Sequence, residues 1–113
     1  AEGVVASFGI IESLMNYNPY KMKISVIPTL NLDGVLAKTR QNKNGVDLNR
    51  NLPTQDWTGE VLNPRYFPGQ SPNSEPENQA LVQFLALEKP RIIFSLHSWK
   101  PMLNVNGKCR KEA

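Results

Sequence analysis

Arg40, Asn49, Arg50 and His97 are the residues of this chain best equipped for chemistry, set in "TRQNKNGVDLNRN" and "FSLHSW". A guanidinium fork grips two oxygens in fixed geometry and keeps its charge near neutral pH. Arg40, Asn49 and Arg50 therefore form a candidate receptor for a carboxylate or an oxyanion. On residue types alone, surface arginines paired with a loop acid such as Asp47 are the commoner explanation. His97 is the one histidine of the chain. It can ligate a metal or close a strand as an ordinary hydrogen-bonded side chain.

The elements that must position these residues follow from periodicity. Val4, Val5, Phe8, Ile11 and Met15 recur at three- and four-residue steps, which predicts an amphipathic helix from about Gly3 to Tyr17, stopped by Asn18-Pro19. "MKISVIPTL" reads as a strand covered on both faces. From Asn31 to Ser74 the chain is rich in Asn, Gly and Pro, with no long periodic segment, and reads as a loop that bears a site. "SEPENQALVQFLALEKP" predicts a helix opened by a capping box, Ser74 at the cap and Glu77 three residues on, and closed before Pro90. "RIIFSLH" is a second buried strand ending at His97. The order is helix, strand, long loop, helix, strand. That is an α/β pattern, in which ligands gather beyond the carboxyl ends of parallel strands, where both His97 and the arginine loop emerge.

Composition removes several classes of function. With 113 residues, 40% of them apolar, the chain has the size and character of one globular domain. The formal net charge is +3, but basic residues are scattered among acids and cluster only near Lys108 to Lys111, which argues against a nucleic-acid partner. The single cysteine, Cys109, excludes an internal disulfide framework and leaves the redox compartment open. No apolar run approaches the roughly 20 residues that span a bilayer.

Four segments, in order, resemble the zinc metallocarboxypeptidases, the carboxypeptidase A-like peptidases. "TLNLDG" resembles the family's Asn-Pro-Asp-Gly strand exit, and "TRQNKNGVDLNRNLP" its arginine loop with Asp-x-Asn-Arg-Asn. "FPGQSPNSEPENQAL" resembles the Gly-x-x-x-x-Ser-Glu-Pro-Glu helix start, and "SLHSW" the strand carrying the third zinc ligand. The resemblance implies a mixed, mainly parallel central sheet flanked by helices. It implies that His97 binds zinc, Arg40 stabilises the oxyanion of the tetrahedral intermediate, and Asn49 with Arg50 holds the free terminal carboxylate of a peptide. In such a site zinc polarises the carbonyl and activates water, while fixed cations meet charge that develops only in the transition state. It also implies a cis bond between Ser98 and Trp99. Two departures, Leu32 for the family's proline and Leu52 for its usual phenylalanine, read as changes of packing.

A catalytic zinc site needs three protein ligands. The family's His-x-x-Glu pair and its glutamate base find no counterpart here; after His97 the only acid is Glu112. The expectation is that residues 1–113 form the central part of a single peptidase catalytic domain, truncated on both sides and inactive alone. The compact arginine loop resembles bacterial members that trim cell-wall muropeptides, so a peptide or muropeptide is the expected substrate. A non-catalytic relative that binds peptides or peptidoglycan stems through Arg40, Asn49 and Arg50 is the competing reading. Trp57 and Trp99 are candidates for a specificity pocket or for core, and Lys100 for an acidic substrate group or for solvent.

Overall fold

The computed structural model describes residues 2–17, 19 and 23–97. α1 (Glu2–Asn16) forms where the apolar recurrence predicts it. Its apolar face is largely uncovered, with Val5 70%, Phe8 58% and Met15 82% exposed. The buried position is Ser7, whose hydroxyl donates to the Gly3 carbonyl one turn back at 2.7 Å.

Within the stretch expected to be irregular, α2 (Leu32–Ala37) forms a short helix. Asn31 caps it, accepting from Gly34 N at 2.9 Å, and its amide donates to the Arg40 carbonyl at 3.0 Å. Lys38 closes it in the left-handed conformation, φ 55°, donating to Gly34 O and Val35 O. Six residues are fewer than two turns, too few for a periodic signal. Leu32 occupies the first helical position and is 60% exposed, so this departure from proline is a matter of backbone, not of packing as the sequence suggested.

Two 3-10 turns follow, Leu48–Arg50 and Pro64–Tyr66. Each has a short polar cap: Asp47 accepts from Asn49 N at 3.2 Å and Asn63 from Arg65 N at 2.9 Å.

α3 (Pro76–Glu88) ends before Pro90 as expected, with Lys89 at φ 45° as its left-handed cap. Its start differs from the sequence reading. The cap residue is Glu75, with Pro76 in the first turn and no side-chain cap bond. The capping box does not form because its parts are engaged elsewhere. Ser74 Oγ donates to Glu75 Oε1 and accepts from Asn51, and the Glu77 carboxylate accepts from Asn42.

The interior of the described residues is mostly polar. Val46 and Leu48 are its buried hydrophobic side chains; Asn42, Asp47, Asn51, Glu75 and Asn78 are buried with them in the loop region, and Ser7 is buried in α1. Residues 23–30 and 91–97 form neither helix nor ladder, and Ile92, Ile93 and Phe94 are 70%, 63% and 81% exposed. Lys23 pairs with Glu88 at the end of α3. Among the described residues there is no strand. The central sheet therefore stays an inference from the sequence. Ser98, Trp99, Lys100, Cys109 and Glu112 lie outside the described residues, and with them the Ser98–Trp99 bond.

Candidate active site

The site is organised around Asp47, which is 2% exposed. Its Oδ1 accepts from Asn49 N and holds the turn that carries Asn49 and Arg50; its Oδ2 accepts from Arg40 Nε at 2.7 Å. The pairing of an arginine with a loop acid, open on residue types alone, is thus realised for Arg40. It uses Nε and leaves both terminal Nη groups outside the ion pair.

Behind the turn lies a set of buried amides. Asn51 is fully buried; its amide donates to Pro68 O at 2.7 Å, Ser71 O at 3.0 Å and Ser74 Oγ at 3.0 Å, and its Oδ1 accepts from Glu75 N and Asn78 Nδ2. Asn78, also fully buried, donates to the Leu48 carbonyl at 2.9 Å and so fixes the first residue of the turn to α3. Gly69, at φ 88°, lies against this set: a Cβ there would come within 2.6 Å of Asn51 Nδ2 and 2.7 Å of Ser74 Oγ.

Asn42 does similar work on the other side of the loop. Its Oδ1 accepts from Asn44 N and Val46 N, and its amide donates to Glu75 Oε2 at 2.7 Å. Asn44 Nδ2 donates to the same oxygen at 2.8 Å. Burial pushes the Glu75 carboxyl up, but the hydrogen bonds from Asn42, Ser74 and Asn44 together outweigh it and hold the group below its ordinary value. Glu75 is therefore an ionised structural anchor, fully supplied with donors.

Tyr66 brings the arginines together. The Arg40 Cζ lies 5.0 Å from the centroid of its ring, and those of Arg50 and Arg65 lie 5.9 Å from it. Asn49, Arg50, Trp57 and Tyr66 line one cavity of about 370 Å³, together with Asp56 and Glu60. That volume is of the size that takes a small ligand. Of the predicted site residues, Arg40, Asn49 and Arg50 are thus gathered by Asp47 and the Tyr66 ring, but only Asn49 and Arg50 line the cavity, with Trp57 in its wall, and Arg40 is not among its lining residues.

His97 stands apart from this assembly in its contacts. It is exposed, and its Nε2 lies 2.9 Å from Ser95 Oγ. A metal held at Nε2 would displace that hydroxyl, whereas one held at Nδ1 would not. Among the described residues no three His, Cys, Asp or Glu side chains are grouped to hold a metal ion. One imidazole is one ligand of the three that a catalytic zinc requires, so the described residues do not make a complete zinc centre.

Comparison with known proteins decides the family. Residues 16–111 match the zinc carboxypeptidase family. The chain belongs to that family. Murein peptide amidase A of Escherichia coli strain K12 is 33% identical over 96 residues, covering 75% of this chain and 40% of the amidase. Murein peptide amidase A of Vibrio campbellii is 34% identical over 87 residues, 67% of this chain and 35% of that protein. Bacteriocin BCN5 of Clostridium perfringens is 31% identical over 104 residues, 81% of this chain but 12% of the bacteriocin. The chain thus spans less than half the length of each. No solved structure matches.

Family membership gives the loop its meaning, but Tyr66, Asn42 and Asn78 were not singled out from the sequence. The available signal was asparagine density: Asn42, Asn44, Asn49 and Asn51 crowd a segment too short to need so many for turns alone.

Proposed function

We propose that the protein is a zinc-dependent metallocarboxypeptidase that hydrolyses the peptide or amide bond next to a free C-terminal carboxylate, with cell-wall muropeptides as its substrates. Residues 1–113 are the central part of its catalytic domain and contribute to a mixed, mainly parallel sheet flanked by helices. The observation that carries the reading is the single turn in which Asp47 orients both the Asn49–Arg50 pair and Arg40, in a chain of the zinc carboxypeptidase family. Asn49 and Arg50 receive the terminal carboxylate, and the Nη groups of Arg40 meet the oxyanion. His97 supplies one zinc ligand; the others come from outside the described residues. Zinc, when bound, supplies the Lewis acid and the activated water. The similarity to murein peptide amidase A favours a muropeptide over an ordinary protein terminus.

The test uses the full-length gene product and a muropeptide offered with its terminal carboxylate free or amidated. Zinc-dependent release from the free form, lost on chelation and restored by zinc, is expected. Binding of the free form without turnover in zinc-loaded protein would instead mark a non-catalytic peptidoglycan-binding relative. Equal cleavage of both forms would remove the carboxylate role of Arg50.

A further inference from the structure

Three guanidinium groups gather on one aromatic ring, and two of them belong to the arginines proposed for the oxyanion and for the terminal carboxylate. Arg40 and Arg50 both lie within the roughly 6 Å at which a cation is drawn to the face of an aromatic ring. The ring is also held from both sides. Gln41, the neighbour of Arg40, donates through Nε2 to Pro64 O at 2.7 Å, and Asp47, which opens the Arg50 turn, donates through its backbone N to Phe67 O at 2.8 Å. The turn that bears Tyr66 is further set by its Asn63 cap and by Pro64 at its start. Each arginine segment is thus hydrogen-bonded to a residue next to or near Tyr66, so the stretches of backbone that carry the ring and the two arginines are tied together.

We infer that Tyr66 is a positioning residue shared by Arg40 and Arg50, one that couples recognition of the terminal carboxylate to stabilisation of the oxyanion. The inference rests on the roles proposed above for those two arginines. An arginine side chain has many rotamers, and a cation that must meet developing charge is effective only if it is already in place. Asp47 restrains Arg40 at Nε, while among the described residues Arg50 has no ion pair. The ring supplies what is lacking: a negatively polarised surface that holds two like charges close together without neutralising either. An aliphatic side chain could fill the same space but not perform this task.

The test is steady-state kinetics of the zinc-loaded full-length protein on the free and amidated muropeptide, for Tyr66→Leu, Tyr66→Phe, Arg50→Ala and the Tyr66→Leu/Arg50→Ala double variant. Tyr66→Leu is expected to raise KM for the free-carboxylate substrate and to lower kcat, each by about fivefold, the worth of one ordinary ring–cation contact. Tyr66→Phe restores both. In the double variant KM should be no higher than in Arg50→Ala alone, because the ring acts on KM through that arginine. If Tyr66→Leu does not fold, Tyr66→Met gives the same non-aromatic readout with an unbranched side chain. A non-aromatic variant with wild-type constants, or a KM defect that adds in full to that of Arg50→Ala, overturns the inference while leaving the arginine roles standing. If Arg50→Ala itself leaves the preference for the free carboxylate intact, the carboxylate-receptor reading falls and this inference falls with it.

Discussion

Asp47 serves two partners with its two oxygens, and they can be separated by substitution. Asp47→Asn keeps an acceptor for Asn49 N but removes the charge that faces Arg40. In the full-length protein it is expected to lower kcat by roughly threefold to tenfold, a charge-assisted hydrogen bond discounted for the partial exposure of Arg40, with KM little changed. Unchanged turnover would detach Asp47 from Arg40. Glu75 gives a second measurable property. Its folded pKa is depressed, so the stability it contributes is present above the ordinary carboxylate value and is lost as pH falls through the folded one. Unfolding followed by denaturant from neutral to acid pH should show a loss of stability that Glu75→Gln flattens. Parallel curves would remove Glu75 as the source. Arg40, Asn49 and Arg50 were legible in the sequence because their types and order match a known motif. Tyr66 and Asn78 were not, since their partners lie far along the chain, as Asn78 is from Leu48, and distant pairing leaves no local pattern.

Elements were legible in proportion to their length. α1 and α3 carry enough turns for apolar recurrence to stand out, and both end near the predicted residues. α2 and the two 3-10 turns are held by single caps and distant hydrogen bonds, which composition hints at but does not locate. The capping box at Ser74 was misplaced because a local motif competes with tertiary partners, and here Asn51 and Asn42 win. Two backbone positions can be tested. Gly69→Ala should destabilise the full-length protein by about 1–2 kcal/mol from its left-handed conformation, before the contact with Asn51 and Ser74 is counted. A thermal midpoint equal to wild type would mean that the loop rearranges freely. Leu32→Pro should stabilise by about 0.5 kcal/mol, because proline suits the first helical position and limits the unfolded chain. A lower midpoint in the same assay would show that Asn31 cannot adapt its cap to a following proline.

On the scale of the molecule, the balance between polar and apolar burial is unusual. Val46 and Leu48 are the buried hydrophobic residues among those described, while Phe8, Met15, Ile92 and Phe94 face solvent. Buried amides set geometry, but each replaces bonds already made to water, so they add little net stability. Apolar burial is the term that must exceed the entropy of ordering the chain. These 113 residues expressed alone should therefore unfold without a sharp heat-capacity peak and bind a hydrophobic dye, and calorimetry with dye fluorescence measures both. A single cooperative transition would show that the two exposed segments find cover within this chain. The sheet could be read from "MKISVIPTL" and "RIIFSLH" only as a tendency, because strands acquire structure from neighbours and among the described residues neither segment has a ladder partner.

Asn44 precedes Gly45, the pairing in which a side-chain amide is most easily lost, because the glycine nitrogen can close on it unhindered. In the folded loop that nitrogen donates to the Asn42 carbonyl at 3.0 Å and the Asn44 amide is held by Glu75. Folding thus protects the bond, and loosening exposes it. Loss of the amide would set a second carboxylate against Glu75, and two such groups cannot share the site as anions without raising the pKa of one of them. Chemical ageing at this one position would therefore weaken the arginine loop that had protected it. Peptide mapping after prolonged incubation should find deamidation at Asn44 faster in denaturant than in buffer, and Asn44→Asp, which stands for the aspartate product, should lose stability at neutral pH and recover part of it in mild acid.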